Sequence, residues 1–231
     1  MPTKIVIWDI PTRLFHWALV AAIGYSWFAI EIKEDLEQHI LSGYCILTLV
    51  LFRVIWGFVG SHYARFRSFI YPVSETLSYA KSLPAKVAKK YPGHNPMGGL
   101  SVLAMLLFIL IQVSTGLFSS DDYYSGPLNA LVSDAVAGTI TELHHLNFDV
   151  VTGLLALHIG AIIFYRLYKK EKLVTAMFSG KKDTDAADQK SVGSSRLILA
   201  AIVLALCAAS VYMLANTSFE TEQSTTDYDF Y

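Results

Sequence analysis

Apolar and polar positions alternate along this chain in long blocks rather than at the short period of a half-buried strand. Five blocks are apolar enough, and long enough, to cross a hydrocarbon core, which takes about 20 residues of helix. They cover roughly residues 14–30, 40–60, 97–118, 147–168 and 197–215. The first is slightly short, and "IWDIPTRLFHW" extends it at the interface. Between the second and third blocks, "SHYARFRSFIYPVSETLSYAKSLP" has helical spacing with a basic, aromatic character, and it predicts an amphipathic segment at the membrane surface. "KKYPGHNPMGG" then breaks the pattern before the third block. After the third block, "SSDDYYSGP" reads as a polar loop, followed by a short helix leading into the fourth.

Composition agrees with this pattern. Of 231 residues, 54% are hydrophobic and 16% charged, against about a quarter charged in soluble domains. The fold class is therefore an all-α integral membrane protein: a four-helix transmembrane bundle plus a fifth transmembrane helix at the C-terminus. Residues 1–172 form the bundle, 173–196 a cytoplasmic linker, 197–215 the fifth helix and 216–231 an acidic periplasmic tail. The polar stretch "GKKDTDAADQKSVGSS" in the linker reads as flexible.

The net charge of −1 conceals a strong segregation. Sixteen of the 18 Lys and Arg residues fall before the first block, between the second and third, or between the fourth and fifth. On the other side Lys33 stands alone among Glu31, Glu34, Asp35 and Glu37, with Asp121, Asp122, Asp134 and Glu142 further on. The positive-inside rule places the N-terminus in the cytoplasm and the C-terminus outside, in a bacterial inner membrane. Cys45 and Cys207 lie in apolar runs and form no C-x-x-C or C-x-x-C-H pattern, so a thiolate metal site and covalently attached haem are not expected.

Histidines inside apolar segments carry the chemistry. His62 and His94 fall in the cytoplasmic connection and read as ordinary loop residues. His16 lies near the inner start of the first block and His39 near the outer start of the second. His144 and His158 mark the two ends of the fourth. Their fourteen-residue interval spans about 21 Å of helix and leaves them about 40° apart, on one face. Topology alone pairs His16 with His158 and His39 with His144. His145 neighbours His144 but points about 100° away.

Two imidazoles facing each other across a bundle, at two depths, suit haem iron. Zinc wants four converging ligands. A proton relay wants carboxylates within the spans, away from their ends. Gly24, Gly43 and Gly153 lie on the histidine helices, where a missing side chain admits a flat macrocycle or a tightly packed helix. Arg13, Arg53 and Arg166 lie near the inner pair and suit haem carboxylates or lipid headgroups. Gln112 and Ser114, polar residues within the third block, read as helix–helix contacts.

"WDIPTRLFHW", "HILSGYCILTLVLFR" and the His-x13-His interval of the fourth block together resemble the bacterial two-haem cytochrome b561 family. That family includes the b-type cytochrome subunit of nickel–iron hydrogenases. The resemblance covers about residues 8–172 and implies a four-helix bundle with two non-covalent b-type haems, ligated by His16, His39, His144 and His158. It also implies electron exchange between the quinone pool, as substrate, and a partner redox protein. The fifth block and the acidic tail are additions to that pattern.

The expected function is thus transmembrane electron transfer between quinone or quinol and a periplasmic redox protein such as a cytochrome c, drawn by the acidic outer face. Other readings remain at this stage: the cytochrome b subunit of a larger hydrogenase-type or formate-dehydrogenase-type oxidoreductase, a superoxide/quinone oxidoreductase, or a membrane anchor or transporter whose histidines only pack. Membrane lipid and a second copy of the chain are the other expected partners; nucleic acid is not among them.

Overall fold

The computed structural model describes residues 3–85, 91–120, 124–184, 192 and 196–217. Lys86, Lys89, Lys90, Asp121, Asp122, Lys190 with the rest of 185–191 and 193–195 of the expected linker, and residues 218–231 lie outside them. Strand β1 (Thr3–Val6) is followed by α1 (Ile10–Glu31), α2 (Leu36–Val59), the short α3 (Val73–Ser82), α4 (Pro96–Gly116) and α5 (Asp134–Leu167). Helix α6 (Leu173–Ser179), strand β2 (Lys181–Thr184) and α7 (Leu197–Ala215) complete the order. Helices α1, α2, α4, α5 and α7 are each long and apolar enough to cross a membrane. The chain is a multi-pass helical membrane protein.

Side-chain oxygens set the starts of three spans. Asp9 caps α1, accepting from the Thr12 amide at 2.8 Å, with Pro11 in the first turn. Asp35 caps α2 through the Gln38 amide at 3.0 Å. Asn95, just before Pro96, caps α4 through the Gly98 amide at 2.7 Å. The fourth span differs from expectation. Its approach helix and the span itself are one continuous helix, α5, of 34 residues. At 1.5 Å per residue it is about 50 Å long, well beyond a core of about 30 Å, so it projects from the bilayer.

Helix α2 is the centre of the bundle and packs against α1, α4 and α7. Helix α5 packs closely against α4, while its contacts with α1 and α2 are sparse. The histidine-bearing α1 and α2 therefore face the histidine-bearing α5 across open space. The main core, with Phe15, Val50, Phe52, Trp56, Ile109 and Val151, lies between the spans. Leu157, Ile159 and Ile163 of α5, and Ile198, Leu206 and Met213 of α7, point outward, as lipid-facing residues do.

The segment that reads as a flexible linker is partly ordered. Lys181–Thr184 pair antiparallel with Thr3–Val6, with Ile5 opposite Lys182. Helix α6 ends at Gly180, whose φ of +77° lies in the left-handed region that glycine tolerates best. Ile5, Ile7, Trp8, Tyr63 and Ala176 form a second small core beneath the sheet. Two-residue alternation in β1 is too short to predict this pairing, and its partner strand lies about 175 residues away in sequence. The end of the bundle bearing the sheet is called the strand end, and the opposite end, with the 117–133 connection, the loop end.

Candidate functional site

At the loop end, α1, α2, α4 and α5 enclose a cavity of about 650 Å³, lined among others by Ser26, His39, Gly43, Gln112, His144 and His145. A volume of this size suits a large organic ligand. A Cβ added at Gly43 would meet nothing within 4 Å, so this glycine leaves open space beside His39. The His39 and His144 rings stand 6.4 Å apart between centroids and are mutually perpendicular. An imidazole nitrogen lies about 2 Å from a metal it ligates and its ring centre about 1 Å further back. Two rings on opposite sides of one ion are thus spaced about 6 Å apart, as these two are.

Hydrogen bonds assign the proton on each ring. His39 Nδ1 lies 3.2 Å from the Ser26 carbonyl oxygen and 3.0 Å from its hydroxyl. A carbonyl only accepts, so Nδ1 carries the proton and Nε2 keeps its lone pair. The Thr115 hydroxyl spends its own proton on the Ile111 and Gln112 carbonyls of α4. It therefore accepts from His144 Nδ1 at 3.0 Å. His144 Nε2, again the unprotonated nitrogen, accepts from the Gln112 amide at 3.0 Å. Asn147, buried, donates to Gln112 Oε1 at 2.6 Å and to the Phe108 carbonyl at 2.9 Å, which turns the Gln112 NH2 group toward His144. Gly116 admits this contact, because a Cβ there would lie 3.1 Å from His144 Cε1. Both histidines thus hold the tautomer that metal-binding imidazoles need, with Nδ1 anchored on a neighbouring helix. His145 lines the same cavity but is exposed.

At the strand end, His16 of α1 and His158 of α5 are half-buried and close enough to interact electrostatically. Buried polar atoms without a hydrogen-bond partner among the described residues gather here: Thr12 Oγ1, Arg13 Nε, His16 Nδ1, Trp17 Nε1, Arg53 Nη1, Ser61 Oγ, Arg65 Nε and His94 Nδ1. Arg13 donates through Nη1 to the Phe178 carbonyl at 2.6 Å, which ties α1 to α6. Arg53 is 3% exposed, lies under the rings of Phe66 and Phe69, and sits in the field of Asp9. The two Asp9 oxygens are already engaged by the Thr12 amide and, at 3.1 Å, by Trp56 Nε1. Arg166 is exposed in the last turn of α5.

His94 lies in the loop before α4, as expected, but its ring is not free there. Its ring packs between Trp8, at 4.6 Å, and Phe69, at 4.8 Å. Burial first, and then the charges of Arg53, Lys182, His158 and His16, push its pKa down to about 3, so the ring is neutral. No periodic pattern marks His94 in the sequence. The adjacent Asn95–Pro96 start signal shows only that it stands at a helix entrance. Asn95 also donates to the Tyr165 hydroxyl at 3.0 Å, which pairs with Tyr79 at 2.9 Å and so joins α3, α4 and α5.

The donor set fits haem: two facing imidazoles with unprotonated Nε2 atoms at one end, that of His144 held by the Gln112 amide, and, among the described residues, half-buried histidines beside arginine nitrogens without a hydrogen-bond partner at the other. Among the described residues there is no cluster of three or more His, Cys, Asp or Glu suited to a bare metal ion. The family model for prokaryotic cytochrome b561 matches residues 7–180, which takes in α6 as well as the four spans. A probable Ni/Fe-hydrogenase B-type cytochrome subunit of Azotobacter chroococcum is 24% identical over 215 residues, covering 77% of this chain and 88% of that protein. Proteins of the same description from Bradyrhizobium diazoefficiens and Rhizobium leguminosarum are 22% and 25% identical, covering 77% and 78% of this chain and 85% and 89% of their own lengths. No solved structure gives a significant match. With its family match spanning nearly the whole bundle, this chain belongs to the prokaryotic cytochrome b561 family and serves membrane electron transfer through b-type haem.

Proposed function

We propose that this protein carries electrons across the bacterial inner membrane through two haem b groups, one at each end of the bundle. His39 and His144 ligate one, and His16 and His158 the other. The observation that carries the reading is the loop-end pair: two rings at metal-bridging distance, each with Nδ1–H anchored and Nε2 unprotonated, that of His144 accepting from the Gln112 amide. Binding through His144 Nε2 displaces the Gln112 amide. The fourteen-residue interval on α5 separates the two ligand positions, His144 and His158, by about 21 Å along the axis. When bound, haem supplies a one-electron carrier whose iron changes oxidation state while the macrocycle stays in the bundle.

The chain's own residues set ligand basicity, exclude water and balance charge. Ser26 and Thr115 hold the ring protons. Gly43 leaves room for a macrocycle against α2. Arg53, and Arg13 through its remaining nitrogens, neutralise carboxylates at the strand end. Arg166, being exposed, belongs at the lipid headgroups rather than at a haem.

The strand end faces the cytoplasm. Arg65, Arg67, Lys169, Lys170, Lys172, Lys181 and Lys182 lie there, whereas Glu31, Glu34, Asp35 and Glu37 lie at the loop end. Quinone or quinol is the membrane substrate, and a basic redox protein such as a cytochrome c fits the acidic periplasmic face. A second reading is favoured by the naming of the relatives as hydrogenase cytochrome subunits: this chain would link a periplasmic redox subunit to quinone, with the same histidines holding the haems. Proteoliposomes test both. Quinol should reduce the haems, and an external cytochrome c should reoxidise them. Haems that quinol cannot reduce, in either quinone class, contradict the proposal.

A further inference from the structure

Arg53 is a cation 97% removed from solvent, with no hydrogen bond or ion pair among the described residues. A buried guanidinium lacking a partner is among the costliest arrangements in a protein. Asp9 is nearby, but both of its oxygens are committed to Thr12 and Trp56. Among the described residues the buried Arg53 Nη1 has no hydrogen-bond acceptor, so the guanidinium has a donor free for a second anion. The ring of Phe69 is 5.9 Å from the Arg53 guanidinium carbon and 4.8 Å from the ring of His94, so both polar groups lie against one aromatic. His94 has a buried, unpartnered ring nitrogen, and its neutral ring carries one donor. Trp8 closes the other side. Lys182 reinforces the positive field, held at the sheet by the Tyr91 carbonyl and by Glu171 at 3.2 Å. His94 also lies within the electrostatic reach of His16 and His158.

We infer that Arg53 and His94 together form the carboxylate site for the strand-end haem, binding one of its propionates. The inference rests on the two-haem reading. Arg53 supplies charge and His94 supplies a directed hydrogen bond, which draws the propionate charge away from the iron. Removing that bond strengthens the field of the carboxylate at the iron and favours the oxidised state.

The test uses the full-length, haem-loaded protein. His94→Phe keeps a ring between Trp8 and Phe69 and removes both nitrogens; His94→Leu replaces it should the Phe protein not accumulate. Haem content should stay at the wild-type level. The potential of one haem alone should fall, with a several-fold change in its reduced fraction at fixed potential. One propionate bending band in the resonance Raman spectrum should move. His94→Gln, which restores a donor, should return both toward wild type. An unchanged band and potential with both haems bound overturns the inference. So does an equal shift of both haems without rescue by Gln, which marks a packing role. Loss of co-purified phospholipid at unchanged potential assigns the anion to a lipid phosphate and also overturns it. Wild-type protein that binds only one haem, or none, instead removes the two-haem reading itself.

Discussion

The two ends of the bundle solve one problem in opposite ways. At the loop end the protein completes its own polar network: Ser26 holds His39, and Thr115, Gln112 and Asn147 hold His144. At the strand end, eight buried polar atoms have no hydrogen-bond partner among the described residues. Buried polar groups are nearly always satisfied, so under the two-haem proposal the first end is organised by protein alone and the second around an anionic guest. The loop-end site is expected to keep its geometry without haem. The strand end is expected to loosen.

The largest effects come from the ligands. His158→Ala should remove the strand-end haem and leave about half the haem content, with the other haem's spectrum intact; a haem assay on purified protein checks this. Loss of both haems would show that the two sites are not independent. Next is Arg53→Gln. Removing the buried cation should lower the strand-end haem's occupancy or potential, read by redox titration, and leave the loop-end haem unchanged.

Smaller effects belong to the loop end. Thr115→Val removes the acceptor for His144 Nδ1–H, makes the imidazole a poorer electron donor, and should raise that haem's potential. A net hydrogen bond of about 0.5–1.5 kcal/mol corresponds to roughly 20–60 mV for one electron. A fall in potential would contradict the assigned proton position. Asn147→Leu leaves the Phe108 carbonyl and Gln112 without their donor. It should cost about 1–3 kcal/mol of α4–α5 stability, seen as a lower thermal midpoint at near-normal haem potentials.

The parts of this architecture legible in sequence are those written in local periodicity. Five apolar blocks set five helices, and the phase of residues 144 and 158 places both on one face of α5. Gln112 was readable as a helix–helix contact, although its partners were not. What stayed hidden depends on residues distant in sequence. Asp9 is a readable cap before Pro11, but its bond to Trp56 appears only when α1 crosses α2. Thr115 looks like any small polar residue in a span until α5 brings His144 to it. The pairing of β1 with β2 joins segments too short to carry a strand signal, and His94 is buried by Trp8 and Phe69, which lie in two separate loops.

The most direct test of the two-site account is the electron paramagnetic resonance spectrum of the oxidised wild-type protein, read with its haem-to-chain ratio. The account predicts a ratio of two and two low-spin ferric signals of equal weight, as two pairs of histidine ligands require. A ratio of one, or a high-spin signal showing that either iron lacks its second imidazole, would contradict it.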